Sequence, residues 1–308
     1  MSAPREEDPD AAGFVYDELG LLHENCAEHG LPAPDGVQVR RVEHQLEDGR
    51  AISGLLWGEG PPRAVLVHGG AQNAHTWDTV ALALRPTPLL AVDLPGHGHS
   101  GWRSGGSYGP RQNAEDVAAI VRAHAPSAPV LVGMSLGGLT ANALAARHPD
   151  LVRRLVVVDV TPGVNRDKAA DVHAFVEGPQ TFPSFTEIFE RTVEFNPTRS
   201  PESLRRGILH NALRLPSGEW RWRYDRGQMD PDGVHSGPVD LWEDVAEVRA
   251  PYLLVRGSLS PVVDDDDVAQ LRRLRPDARV VVVEGAGHSV QGDRPLELAE
   301  LLRSELEA

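Results

Sequence analysis

The sequence predicts an α/β protein built on a mostly parallel, doubly wound sheet, and three observations carry that expectation. First, short continuous apolar runs recur at 64–68, 89–92, 130–132, 155–158, 252–255 and 280–283. Unbroken Val and Leu runs suit strands buried on both faces, as in a parallel sheet covered by helices. Second, helical segments lie between them, near 74–84, 113–124, 136–147, 268–274 and 296–306. Alternating β and α of this kind implies a doubly wound sheet. Third, the run at 130–132 breaks into Gly133–Met134–Ser135–Leu136–Gly137 and continues as a small-residue helix. A strand that turns abruptly into a helix between two glycines lifts Ser135 out of the sheet on a strained backbone.

Residues 1–10 are acidic and lack the basic segment and apolar core of a signal peptide. Residues 11–29 read as a helix through Phe14, Leu19, Leu22 and Cys26, stopped by Gly30 and Pro32. Residues 37–46 and 51–57 alternate like an antiparallel hairpin turning at Glu47–Asp48–Gly49. From 161 to about 251 the alternation stops. Helix-like pieces at 168–176, 184–195 and 201–213 precede a Trp220–Arg221–Trp222–Arg223–Tyr224 segment. This aromatic interval reads as a helical cap inserted after the sixth strand of the parallel-sheet fold. The organisation is an N-terminal helical extension (1–36), a core (37–160 and 238–308) and a cap (161–237). Cap aromatics pack the insertion onto the core, and Phe185, Phe189, Trp220 and Trp222 are the candidates for touching substrate.

Composition bounds the function. The chain has 308 residues, 41% hydrophobic, and a formal charge of −15. That charge argues against nucleic acid or an anionic membrane as partner. No apolar run approaches the roughly 20 residues that span a bilayer. The single cysteine, Cys26, allows no internal disulfide and points to a reducing, cytoplasmic setting. No local His or Cys spacing marks a metal, and no glycine fingerprint marks a nucleotide cofactor. The N-terminal helix offers either a packing element or a homodimer surface.

A serine hydroxyl needs a base, and histidine serves near neutral pH. Of 13 histidines, His288 stands in Gly285–Ala286–Gly287–His288, after one predicted strand and before the last helix, in a loop able to bend back toward Ser135. His68, His97 and His99 also lie at strand ends, with His75 following; His68 precedes Gly69–Gly70 and reads as support for that loop. An oxyanion needs preorganised donors. The N–H of Leu136 is one, and that of Gly70 the other, with Ala71 next.

With these residues assembled, the chain resembles the capped, esterase-like α/β-hydrolase fold. The resemblance rests on His68–Gly69–Gly70, on Asp93–Leu94–Pro95–Gly96–His97–Gly98, on the Ser135 turn and on Gly287–His288, over about 38–306. It implies the order nucleophile, acid, base along the chain. A serine at the turn argues against relatives that carry aspartate there. The chain departs from the family at the acid: the Gly-x-x-Asp stretch after the seventh strand is Gly257–Ser258–Leu259–Ser260. Asp159, ending the sixth strand, is the expected replacement, since some members place the acid there. Asp264, first of the Asp264–Asp267 run, is the alternative, although that run suits a helix start. Asp93 reads as loop structure.

The expected function is a serine hydrolase acting on a small-to-medium apolar ester or lactone through an acyl-enzyme, with Ser135, His288 and Asp159 as triad and no cofactor. Three other readings share these residues: a carbon–carbon hydrolase of ring-cleavage products, a cofactor-free peroxidase or oxygenase-like enzyme, and a non-catalytic ligand-binding member of the fold.

Overall fold

Eight strands form one sheet: β1 (Val39–Gln45), β2 (Ala51–Trp57), β3 (Ala64–Val67), β4 (Leu89–Val92), β5 (Val130–Met134), β6 (Arg154–Val158), β7 (Tyr252–Gly257) and β8 (Arg279–Val283). They lie in the order β1-β2-β4-β3-β5-β6-β7-β8. The computed structural model describes residues 8–308 except 12, 128, 166 and 226–240. β2 pairs antiparallel with β1 and β4, and the other pairs from β4 to β8 are parallel.

The helices are α1 (Leu22–His29), α2 (Asp78–Ala83), α3 (Pro110–His124), α4 (Leu136–Arg147), α5 (Ala170–Val176), α6 (Phe185–Phe195), α7 (Pro201–Asn211), α8 (Leu241–Glu247), α9 (Asp265–Leu274), α10 (Val290–Asp293) and α11 (Pro295–Glu307). Alternate strand residues feed two cores. Val65, Val67, Leu131, Val157 and Leu254 pack with α3, α4 and α8 on one face. Leu66, Val130, Val132, Val156 and Val255 pack with α1, α2 and α11 on the other. Every residue of β3 and β4 is buried, as their unbroken apolar runs require. β8 has the same kind of sequence but leaves Val282 exposed, because it is the sheet's edge and has a neighbour on one side alone.

Two expectations are corrected. The N-terminal helix spans 22–29 and not 11–29; Asp17 turns the chain by accepting from Leu19 N–H at 3.2 Å, and residues 13–21 lie across the protein as turns and extended chain. The cap is not purely helical. Thr181–Phe182, Trp220–Trp222 and Ala212–Arg214 form a three-stranded antiparallel sheet in that order. Trp220 and Trp222 are buried with Arg221 exposed between them, the period-2 pattern of a strand. Gly218, at φ 94°, makes the hairpin turn. Residues 226–237, the end of the expected cap, lie outside the described residues.

Candidate active site

Strand register sets up the site. Met134 of β5 pairs with Val158 of β6, which pairs with Val255 of β7. Ser135 and Asp159 are therefore the first residues beyond two adjacent strands, at the carboxyl end of the sheet, where open α/β sheets bind ligands. Their N–H groups extend the ladder, from Ser135 to Val158 O at 3.1 Å and from Asp159 to Val255 O at 2.7 Å. Both then turn through positive φ, 51° and 52°, a conformation that costs a non-glycine residue on the order of 1–3 kcal/mol. The glycines around Ser135 are steric necessities: a Cβ on Gly133 would sit 2.2 Å from Gly137 O, and one on Gly137 would sit 2.4 Å from His68 O.

The loop after β8 brings His288 back over this edge. Its Nε2 is 3.0 Å from Ser135 Oγ and its Nδ1 is 2.8 Å from Asp159 Oδ2. The Asp159 carboxylate is fully buried and accepts two further hydrogen bonds, from Gly257 N–H at 2.9 Å and from Ser260 Oγ–H at 2.5 Å. Ser260, at the position where the family usually has its acid, thus serves the neighbouring strand's carboxylate. A buried carboxylate needs such donors in place of water. Asp264 is engaged elsewhere. It caps α9 in a reciprocal capping box with Asp267 and pairs with Lys168 at 2.8 Å, and contact with Lys168 holds its carboxyl down, to about 2. Gly257 is tightly enclosed, since a Cβ there would lie 2.3 Å from Gly287 O and 2.5 Å from Ala286 O. Gly257→Ala is expected to destabilise the fold by about 1–3 kcal/mol and to lower activity by pushing the His288 loop away. A urea midpoint and kcat both at wild-type values would refute this.

The loop 69–73 faces Ser135. Gly69 N–H donates to Gln72 Oε1 at 3.3 Å and Ala71 N–H to His97 Nε2 at 3.1 Å. Of the two donors weighed in this loop, Ala71 is already spent. Gly70 N–H makes no hydrogen bond among the described residues. Leu136 N–H opens α4, where the first helical donors have no partner within the helix. Gly70 and Leu136, on the two segments that flank Ser135, both carry an N–H without a hydrogen-bond partner among the described residues.

His68 and His97 hold this loop, and both must be neutral to do so. Each takes a backbone N–H on Nε2, from Leu94 at 2.9 Å and Ala71 at 3.1 Å, and each has Nδ1 on a carbonyl, that of Gly69 or Pro95. A second proton would turn Nε2 against a donor. Burial pushes His68 down to about 3 and His97 downward as well. The unfolded chain takes up these protons near pH 6.5 while the folded chain refuses them. Stability from this pair is therefore complete above about pH 6.5 and falls as pH drops below it, by up to about 1.4 kcal/mol per pH unit for each histidine while its folded form stays unprotonated. Urea midpoints measured from pH 8 to pH 5 should fall; a flat profile would contradict the assignment. Asp93, buried and bonded to Ala74 N–H, His99 N–H and Arg41, braces the same turn.

Ser135 and His288 line a cavity of about 430 Å³ whose wall also includes residues of the inserted segment, among them Phe175, Phe195 and Trp222. Of the four aromatics expected there, Trp222 lines it and Phe185, Phe189 and Trp220 do not; Phe175 and Phe195 do instead. The reason is position along the helix. Thr192, Phe195 and Asn196 lie at the C-terminal end of α6, which reaches the cavity, whereas Phe185 and Phe189, in its earlier turns, stack on each other and Phe185 meets Trp220 edge-on. The wall also carries Lys168, Arg199 and Arg206, which the sequence reading did not place there. Lys168 is paired with Asp264 and Asp267, and Arg206 with Glu28.

The alpha/beta hydrolase family profile matches residues 64–301. The chain belongs to this family. It is 47% identical to the esterase Rv0045c of Mycobacterium tuberculosis over 298 residues, which is 94% of this chain and 96% of that one. A solved structure of that esterase, which concerns its inhibition by transition metals, superposes with a TM-score of 0.83 over 96% of this chain and all of the other, at 46% identity. A 2-(acetamidomethylene)succinate hydrolase from Mesorhizobium japonicum is 29% identical over 85% of this chain and 94% of its own. This member of the family is a hydrolase of the esterase type. No helix among its described residues is long and apolar enough to cross a membrane.

Proposed function

We propose that this hydrolase cleaves carboxylic esters or lactones through an acyl-enzyme on Ser135. The observation that carries the reading is the hydrogen-bonded relay from Ser135 Oγ through His288 to Asp159, opening on the cavity. In the first step His288 Nε2 takes the Ser135 proton as Oγ attacks the acyl carbon, and the carbonyl electrons move to oxygen, where the N–H groups of Gly70 and Leu136 receive them. The tetrahedral adduct collapses as the imidazolium returns its proton to the departing alkoxide. Water, deprotonated by His288, repeats the sequence and releases the acid. Asp159 holds the imidazole with Nε2 toward Ser135 and balances its charge.

A cavity of about 430 Å³ lies in the range of small-molecule sites, about 300–1,000 Å³. Its Phe175, Phe195, Trp222 and Ile208 favour an apolar acyl or alkyl group of small to medium size. The buried thiol of Cys26, in no disulfide, suits a reducing, cytoplasmic setting. The experiment is a rapid-mixing assay of p-nitrophenyl esters of increasing chain length, beside a panel of lactones. One equivalent of phenolate in a burst, with an optimum at short to medium chains, is the expected result. Silence on every ester and lactone, with turnover of a vinylogous diketone, would replace this reading with carbon–carbon cleavage.

A further inference from the structure

A second constellation borders the cavity and takes no part in the relay. Three buried side chains form it: His75 in the single turn Ala74–Trp77, Asp78 at the start of α2, and His210 near the end of α7; the two histidines line the cavity and Asp78 lies behind them. One nitrogen or oxygen from each lies within 4.8 Å of the others. His75 Nδ1 is 2.9 Å and His210 Nε2 3.7 Å from the same oxygen, Asp78 Oδ2, and the two imidazoles stack at 3.8 Å. Two atoms of the group, His210 Nε2 and Asp78 Oδ1, are buried without a hydrogen-bond partner. Buried polar atoms are costly to leave unpaired, and each such atom calls for an explanation.

The far side of each ring points to one. His75 Nε2 lies 3.2 Å from Glu18 Oε1, and His210 Nδ1 lies 2.6 Å from the Tyr16 hydroxyl. Each imidazole therefore has one nitrogen fixed by an oxygen and the other directed at Asp78. That is how metal-ligating histidines are held, with the outer oxygen setting tautomer and ring orientation.

We propose that His75, Asp78 and His210 form a binding site for a divalent transition-metal ion of the zinc class, with Glu18 and Tyr16 as the outer oxygens. Two imidazoles and a carboxylate suit Zn²⁺, Co²⁺ or Ni²⁺, whereas Ca²⁺ and Mg²⁺ favour oxygen alone. His75 and His210 both line the cavity, so an ion has a way in and water a place on it. Bond lengths of about 2.0–2.2 Å require the stacked rings to tilt apart and close on the ion. His75 meets Asp78 through Nδ1 and Glu18 through Nε2, and the ion enters on the Nδ1 side, leaving the Glu18 contact in place. Local spacing hides the site, because His210 joins the other two only through the fold.

A bound ion ties the cap and the N-terminal extension to the core. Its effect reaches the loop 69–73, since Asn73 Nδ2 donates to His210 O at 3.0 Å and Asn211 Nδ2 donates to Ala71 O at 2.7 Å. The test is equilibrium dialysis of the full, chelator-treated chain against Co²⁺ and Zn²⁺, with the visible Co²⁺ spectrum and zinc X-ray absorption as readouts. One equivalent should bind, with a two-imidazole shell. His210→Gln should abolish binding, Tyr16→Phe should weaken it by about 10–100-fold, and His288→Gln should leave it intact. Failure of the wild type to bind one equivalent, a single-imidazole shell, unchanged binding in His210→Gln, or loss in His288→Gln would each overturn the proposal. The wild-type stoichiometry and absorption spectrum decide the matter even if His210→Gln does not fold.

Discussion

Ser135→Ala is expected to lower kcat by about 10⁶-fold, with a residual rate about 10³ above water from the remaining donors and the cavity. The direction follows from geometry: with Oγ gone, His288 Nε2 has nothing to deprotonate and no acyl-enzyme forms. KM should change little, because Ala leaves the cavity wall and the Leu136 and Gly70 donors where they are. Near-wild-type turnover of short acyl esters by the alanine variant would remove Ser135 from the mechanism. A companion variant separates chemistry from fold. Ser135 sits at φ 51°, so Ser135→Gly relieves a conformation that costs on the order of 1 kcal/mol. It should be as inactive as the alanine variant and, measured by urea midpoint, more stable by a comparable amount, less the added backbone freedom of glycine when unfolded.

How far the sequence could be read depended on whether a signal was local. The turn at Ser135 is local, a strand, two glycines and a helix in succession, and α4 spans 136–147, as the pattern predicts. The buried strands were legible because a strand covered on both faces must be apolar throughout. Their position was not: β8 has the composition of a central strand and lies at an edge. His288 and Asp159 were nameable as strand-end residues, and the fold brings both within hydrogen-bond reach of one chain of contacts to Ser135. What Ser260 does was not legible, since its use depends on the β6–β7 register. The cap was legible as an interruption and not as a structure. Its strands are two or three residues long, too short for alternation to register, and which aromatic lines the cavity depends on which end of α6 reaches it.

The acid is the step at which the chain departs from its family, and it carries the second large effect. Asp159→Asn is expected to lower kcat by about 10⁴-fold. The carboxylate accepts from His288 Nδ1, Ser260 Oγ and Gly257 N–H, all donors. An amide can accept on its oxygen alone, so its NH₂ must face one of them. Turned toward His288 it forces the proton onto Nε2, the nitrogen that has to be bare beside Ser135; turned toward Gly257 it faces a backbone donor inside the core. Asp264→Ala should leave kcat near wild type and cost about 0.5–2 kcal/mol of stability as a lost helix cap. The opposite pattern, activity lost with Asp264 and kept with Asp159→Asn, would move the acid to α9. Ser260 offers the sharper control. Its Oγ lies 2.5 Å from the oxygen that His288 contacts, so Ser260→Asp in the Asp159→Asn background returns a carboxylate to that point from β7, where the family usually has it, and should recover part of kcat. In the wild-type background the same Ser260→Asp change sets two buried carboxyl groups against each other; one must bind a proton, and stability should fall as pH rises above the carboxylate range, because the unfolded chain releases that proton and the folded chain cannot.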